Sequence, residues 1–194
     1  MLKAMHNALA VIGGLVAISS SVPYILGTLR GKTHPNLVSW FTWMLLHVIA
    51  ASAAFASGAL QTGIFTTAAA LSTGLIVIMS LRYGIRRYTR FDLICQILAI
   101  TGIAIWRLTD QPVFAIVMVI AVNLMAALPT FRHAWRAPQH ETWQTFAISV
   151  LASGLVLASI SHYNFVSLAY PVYFFICDAA IAAVILARRR RVIH

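Results

Sequence analysis

The chain has 194 residues, 61% of them hydrophobic and 9% charged, with a formal net charge of +10 and a mean hydropathy of +0.87. There is too little charge to cover a soluble surface, so apolar faces must meet lipid and the sequence reads as an all-α integral membrane protein. A nucleic-acid partner is excluded despite the charge, because the basic residues form short clusters between apolar runs rather than a continuous stripe.

Runs able to cross about 30 Å of hydrocarbon, at about 20 residues each, lie at 7–29, 38–58, 62–82, 92–108, 113–132, 142–160 and 167–187 and predict seven transmembrane helices. They are continuously apolar rather than alternating, which argues against a β-barrel. The first run follows a single lysine, has no convincing small-residue cleavage site and is read as a retained helix. In it, Gly13 and Gly14 predict close helix packing. Pro23 interrupts the backbone ladder near its end, and Ser19 to Ser21 stand one turn earlier, placed to satisfy the freed carbonyls or to line a path.

The second run opens on Trp40, at the level of an interfacial anchor, and Trp43 shares a helix face with His47 at i and i+4. The third carries Ser72. The fifth carries Asn123 and then Pro129, which lacks a backbone donor as Pro23 does; the sixth opens on Trp143. The seventh holds Asp178 about half-way along, where an ionised carboxylate costs roughly 2.5 to 3.5 kcal/mol and must face an aqueous cavity, find a partner or stay protonated. His47 and Asn123 lie at comparable depth, so four helices offer polar side chains to one plane. Each of these two also suits an interhelical hydrogen bond. If His47 and Asp178 share a cavity, they can relay a proton.

Of the fourteen Lys and Arg, twelve fall in the loops after the first, third and fifth runs and in the C-terminal tail, leaving Lys3 and Arg107 on the other side. This bias predicts an outside N-terminus and a cytoplasmic C-terminus. The tail Arg188 to Arg191 is read as fixing orientation and touching anionic lipid. Cys95 and Cys177, both inside apolar runs, form neither a disulfide framework nor a metal spacing.

Sliding the second half back by 106 positions sets Pro129 on Pro23 and Arg136 on Arg30, and a three-residue deletion then sets Pro138 on Pro35, Thr142 on Ser39 and Trp143 on Trp40. Five matches in order indicate an internal duplication. The chain then divides into a three-helix repeat over 1–90, a linker helix over 91–110, and a second repeat with the basic tail over 111–194. One intervening span keeps the two repeats parallel, which is the 3+1+3 arrangement. Aligning Arg82 with Arg188 at the same offset sets Ser72 opposite Asp178.

The segments PYILGTLRGKTHPNLVSW at 23–40 and LPTFRHAW at 128–135, within this 3+1+3 pattern, resemble the PQ-loop superfamily that includes the SWEET sugar transporters. The family's glutamine is replaced by Tyr24 in one copy and by Thr130 in the other, and the literal Pro138-Gln139 lies past the basic segment. The resemblance implies a carrier of a sugar or similar small polar solute, working by alternating access without a cofactor. It implies that Pro23, Pro129 and Tyr24 form the hinges and gate, and that a polar pair at the level of Ser72 and Asp178 meets the substrate. By depth along their own runs Asn123 and His47 are read beside that pair, and Trp43, one turn from His47, is the candidate for stacking on a sugar or closing the path.

Asp178 equally suits a proton or an ammonium group, which keeps proton-coupled amino-acid transport open, with Asp178 and His47 as the coupling pair. Members of the wider superfamily that act as membrane receptors or biogenesis factors keep a non-transporting role open as well. Enzyme chemistry is not expected, since nucleotide-binding loops, HExxH, CxxC and GxSxG are absent and only Asp178 among the four carboxylates lies deep in a run. A retinal pigment is disfavoured because Lys3 and Lys32 are in or near loops. The expected partners are the lipid bilayer and a small solute. One chain holds a complete pair of repeats, and a homo-oligomer is also compatible with the reading.

Overall fold

The computed structural model describes residues 2–31, 35, 37–84, 90–136 and 138–192. Lys32, Arg86 and Arg87 lie outside the described residues, as does the side chain of Pro129. The described residues form α1 (Leu2–Ser19), α2 (Ser21–Leu29), α3 (Leu37–Ala56), α4 (Leu60–Tyr83), α5 (Arg90–Thr109), α6 (Pro112–Arg136), a 3-10 turn (Pro138–His140), α7 (Trp143–Ser159) and α8 (Phe165–Val192). Every apolar run read from the sequence is helical. Three stretches, Ala4–Leu29, Leu60–Tyr83 and Phe165–Arg189, are long and apolar enough to cross a membrane.

The connections are short. Between α3 and α4, Gly58 takes φ +74°, and the amides of Gly58 and Ala59 close on the carbonyls of Phe55 and Ala54 at 3.0 and 2.8 Å. This is a Schellman turn, for which a residue without Cβ is favoured. Between α7 and α8, Asn164 caps α8 by accepting the Ser167 amide at 2.9 Å.

Packing follows one pattern in both halves. Among the described residues, α4 packs on both α1 and α3, whose backbones do not approach each other closely, and α8 packs on both α6 and α7, whose backbones do not either. Across the halves α1 packs on α7 and α3 on α6, while α5 lies outside against α6 and α3. Small residues permit the close approaches: a Cβ on Gly13 would meet Val156 Cγ2 of α7 at 2.8 Å, and one on Gly14 would meet Ala68 Cβ of α4 at 3.3 Å. Large side chains such as Leu15, Leu71, Ile78, Leu151 and Ile176 remain exposed on the outer helix faces.

Helix ends register the two halves. α3 ends at Ala56 and α7 at Ser159, an offset of 103, and α4 begins at Leu60 and α8 at Phe165, an offset of 105. The loop 160–164 is two residues longer than the loop 57–59. By these helix starts the offset of 106 read from the sequence becomes 105 in the third helices. Asp178 corresponds to Thr73, and Ser72 to Cys177, so the pairing of Ser72 with Asp178 shifts by one residue.

Proline in a helix removes a donor and crowds the carbonyl four residues earlier. Ahead of Pro23 the helix turns at Ser20, and the Ser19, Ser20 and Ser21 hydroxyls donate to the carbonyls of the preceding turn, Val16, Ala17 and Ile18, each at 2.7 Å. Pro171 lies inside α8, and the Ser167 carbonyl that it leaves without an amide accepts the Thr62 hydroxyl of α4 at 2.6 Å. α6 continues through Pro129 as α8 does through Pro171, so the turn seen ahead of Pro23 has no counterpart at Pro129.

Thr62→Val leaves a buried carbonyl unpaired and is expected to destabilise the fold by about 1–3 kcal/mol. In a Pro171→Ala background, which restores the amide at residue 171, the same substitution should cost clearly less. Thermal unfolding of the four variants in detergent measures the coupling, and equal losses in both backgrounds would contradict it.

Candidate functional site

The broken first helix, the packing of α1 on α7 and that of α3 on α6 leave a cavity of about 130 Å³ between the halves, space for about four waters. Asp178, Ser72, Asn123, His47 and Trp43 all line it. Five residues chosen as isolated polar or aromatic positions in separate apolar runs thus converge on one space. Each lies near the middle of its helix or toward the end where Arg30, Arg82, Arg136 and Arg188 sit, hereafter the basic end.

The lining repeats across the halves. In α4 Ala69, Ser72, Thr73 and Ile76, and in α8 Phe174, Cys177, Asp178 and Ile181, line it with the same helical spacing at an offset of 105, while Phe65 of α4 and Tyr173 of α8 line it without a counterpart. Trp43 of α3 is matched by Phe146 of α7, and Ser21 of the first helix by Ala127 of α6. The polar charge is the asymmetric element: Asp178 has a hydroxyl, Thr73, as its counterpart.

Four polar side chains are nearly enclosed, with His47 4%, Ser72 6%, Asn123 6% and Asp178 8% exposed. Asp178 faces the Ser149 hydroxyl of α7. Asn123 donates its amide to the Tyr170 hydroxyl at 3.3 Å, so its interhelical bond and its place on the cavity coexist. The backbone of Trp43 lies near the His47 ring but outside hydrogen-bonding geometry, and neither ring nitrogen has a partner. The ring is held by aromatics instead, with Phe174 at 5.4 Å and Tyr170 at 6.0 Å between centroids. The Thr145 hydroxyl, also on the lining, is likewise buried and unpartnered.

Toward the basic end the aromatics form a chain. Trp40 stacks edge-on with Tyr24 at 4.8 Å and with Trp43 at 4.9 Å, and its indole N–H donates to the Tyr24 hydroxyl at 3.2 Å. Trp40 is therefore a cavity residue held by Tyr24. Trp143 packs with Phe146 against Ala134, Ile181 and Ile185. Neither tryptophan is simply an interfacial anchor.

Toward the opposite end the space is closed. Leu46, Ile49 and Ala53 of α3 pack with Ala115, Ile116, Val119 and Val122 of α6 and with Tyr170 into one apolar cluster. Beyond it, Gln61 donates to Asn7 and to Ser161, each at 3.3 Å, tying α4 to α1 and to the loop before α8.

Sequence reasoning did not single out Tyr170, Pro171, Thr62 or Phe174. Pro171 carried a usable signal, a proline inside the last apolar run; the others become visible only once α4, α6 and α8 are seen to touch. Among the described residues no group of histidine, cysteine and carboxylate side chains could hold a metal. Compared with known protein families, curated proteins and solved structures, the chain matches none.

An apolar residue of similar shape removes two unpartnered buried nitrogens, so His47→Phe is expected to leave thermal stability unchanged or raised. A loss of more than about 2 kcal/mol in a melting experiment would show that the imidazole is instead satisfied in the fold.

Proposed function

We propose that the chain is a multi-pass membrane carrier of the PQ-loop, SWEET-like type that moves a small polar solute by alternating access. In this reading seven spans are arranged 3+1+3, with α1–α4 and α6–α8 as parallel repeats and α5 as the linker, the N-terminus outside and the C-terminus cytoplasmic. The observation that carries it is the mid-depth cavity lined from both halves, with Asp178, Asn123 and His47 on its wall. A buried carboxylate and an unpartnered imidazole are costly in an apolar bundle and make sense where a solute or water visits them.

Alternating access requires one end to be open while the other is shut, and then the reverse. The apolar cluster and the Thr62 and Gln61 hydrogen bonds close one end. The aromatic chain Tyr24, Trp40 and Trp43 stands at the other. The break ahead of Pro23 and the proline in α8 are the sites where helices can bend with the fewest backbone bonds to exchange. Asp178 and His47 on one cavity favour proton coupling as the second form of the same reading.

Purified protein in liposomes should take up at least one member of a panel of labelled sugars, amino acids and small amines with saturable kinetics. Ser72→Trp, which fills the cavity, should reduce that flux by about tenfold or more, a loss of about 1.4 kcal/mol. An imposed proton gradient separates facilitated from coupled transport. Absence of flux across the panel, or flux indifferent to Ser72→Trp, would contradict the proposal.

A further inference from the structure

We infer that the solute admitted to this cavity is a small primary ammonium ion without a carboxylate of its own, an inference that rests on reading the cavity as a substrate site. Among the described residues the wall holds one acid, Asp178, and neither lysine nor arginine. A zwitterionic amino acid would bring a carboxylate that no lysine or arginine among them can meet. A sugar would bring hydroxyls that need donors and acceptors in equal measure.

Several donors on the wall are committed. The Ser20 and Ser21 hydroxyl protons go to the carbonyls of Ala17 and Ile18, each at 2.7 Å, and that of Thr73 goes to Ala69 at 2.9 Å. One Asn123 N–H is given to Tyr170 at 3.3 Å, and Ser149 faces the Asp178 carboxyl. These groups turn oxygen lone pairs to the cavity, the Ser72 and Thr145 hydroxyls can accept as well as donate, and His47 adds ring nitrogens left unpartnered by the fold. An ammonium group is the complementary partner, with three donors, no acceptor and the charge that Asp178 lacks a counter-ion for.

The remaining wall also suits a cation. Trp43, Tyr173 and Phe174 line the cavity, and the faces of such rings attract an ammonium group, more strongly when it is desolvated. The volume of about 130 Å³ restricts the choice to a molecule of few heavy atoms.

Three probes of nearly equal size separate the contributions: ethanolamine carries the cation alone, glycine adds a carboxylate, and ethylene glycol has no charge. Binding to the purified full-length chain is read from tryptophan fluorescence, since Trp40 and Trp43 border the site. Ethanolamine is expected to bind at least about tenfold more tightly than either of the others. Asp178→Asn should abolish that preference and Asp178→Glu should retain it. If Asp178→Asn does not fold, the ranking in the unaltered chain decides alone.

Equal or better binding of glycine or ethylene glycol, or no binding of ethanolamine, overturns the inference. Uptake of a sugar by a chain that fails to bind ethanolamine would leave the carrier reading standing and remove this one. Ethanolamine bound without any flux would do the reverse.

Discussion

In an apolar helical bundle each backbone amide and carbonyl must find its partner inside the protein, because there is no water to replace a lost one. The fold depends on how this chain meets that demand where proline breaks it. Ahead of Pro23 three serine hydroxyls bond to carbonyls of the preceding turn of their own helix. Thr62 closes the gap made by Pro171 from a different helix and from the other half of the molecule. The first joint is local to one helix, and the second ties α4 to α8 between the halves.

The cavity follows from the same economy of polar groups. Between the halves, helices approach closely where glycine and alanine permit, as at Gly13 against α7, and are held apart where Trp43, Phe146 and Phe174 stand. Asp178, His47 and Asn123 enter the space so formed. Such groups are costly to enclose in an apolar bundle, a cost that the proposed reading explains by a solute or water that visits them.

Much of this was legible in the chain because a lone polar residue in a long apolar run is a strong signal. Asp178, His47, Asn123 and Ser72 were each visible for that reason, and they do line one cavity. What could not be read was helix rotation, set by side-chain packing between distant segments. The Asn123–Tyr170 hydrogen bond and the Thr62 contact depend on it. The register of the third helices was misplaced by one residue because arginines at helix ends were taken as the anchor. Such ends tolerate sliding, whereas the loop lengths 57–59 and 160–164 fix the offset. Pro129 shows a further limit: the residue type suggested a break, yet α6 continues through it.

The central claim is that the two halves must part at the end remote from the basic loops for a solute to pass. A cross-link across that end tests it most directly: Gln61→Cys with Ser161→Cys, in a chain whose Cys95 and Cys177 have been replaced and which still transports, joined by a short reducible thiol–thiol reagent. The Gln61 and Ser161 side chains meet at 3.3 Å, so the two positions face each other. Cross-linking should stop uptake into liposomes and reduction should restore it. Undiminished uptake with the cross-link formed would show that this end does not open and would contradict the account.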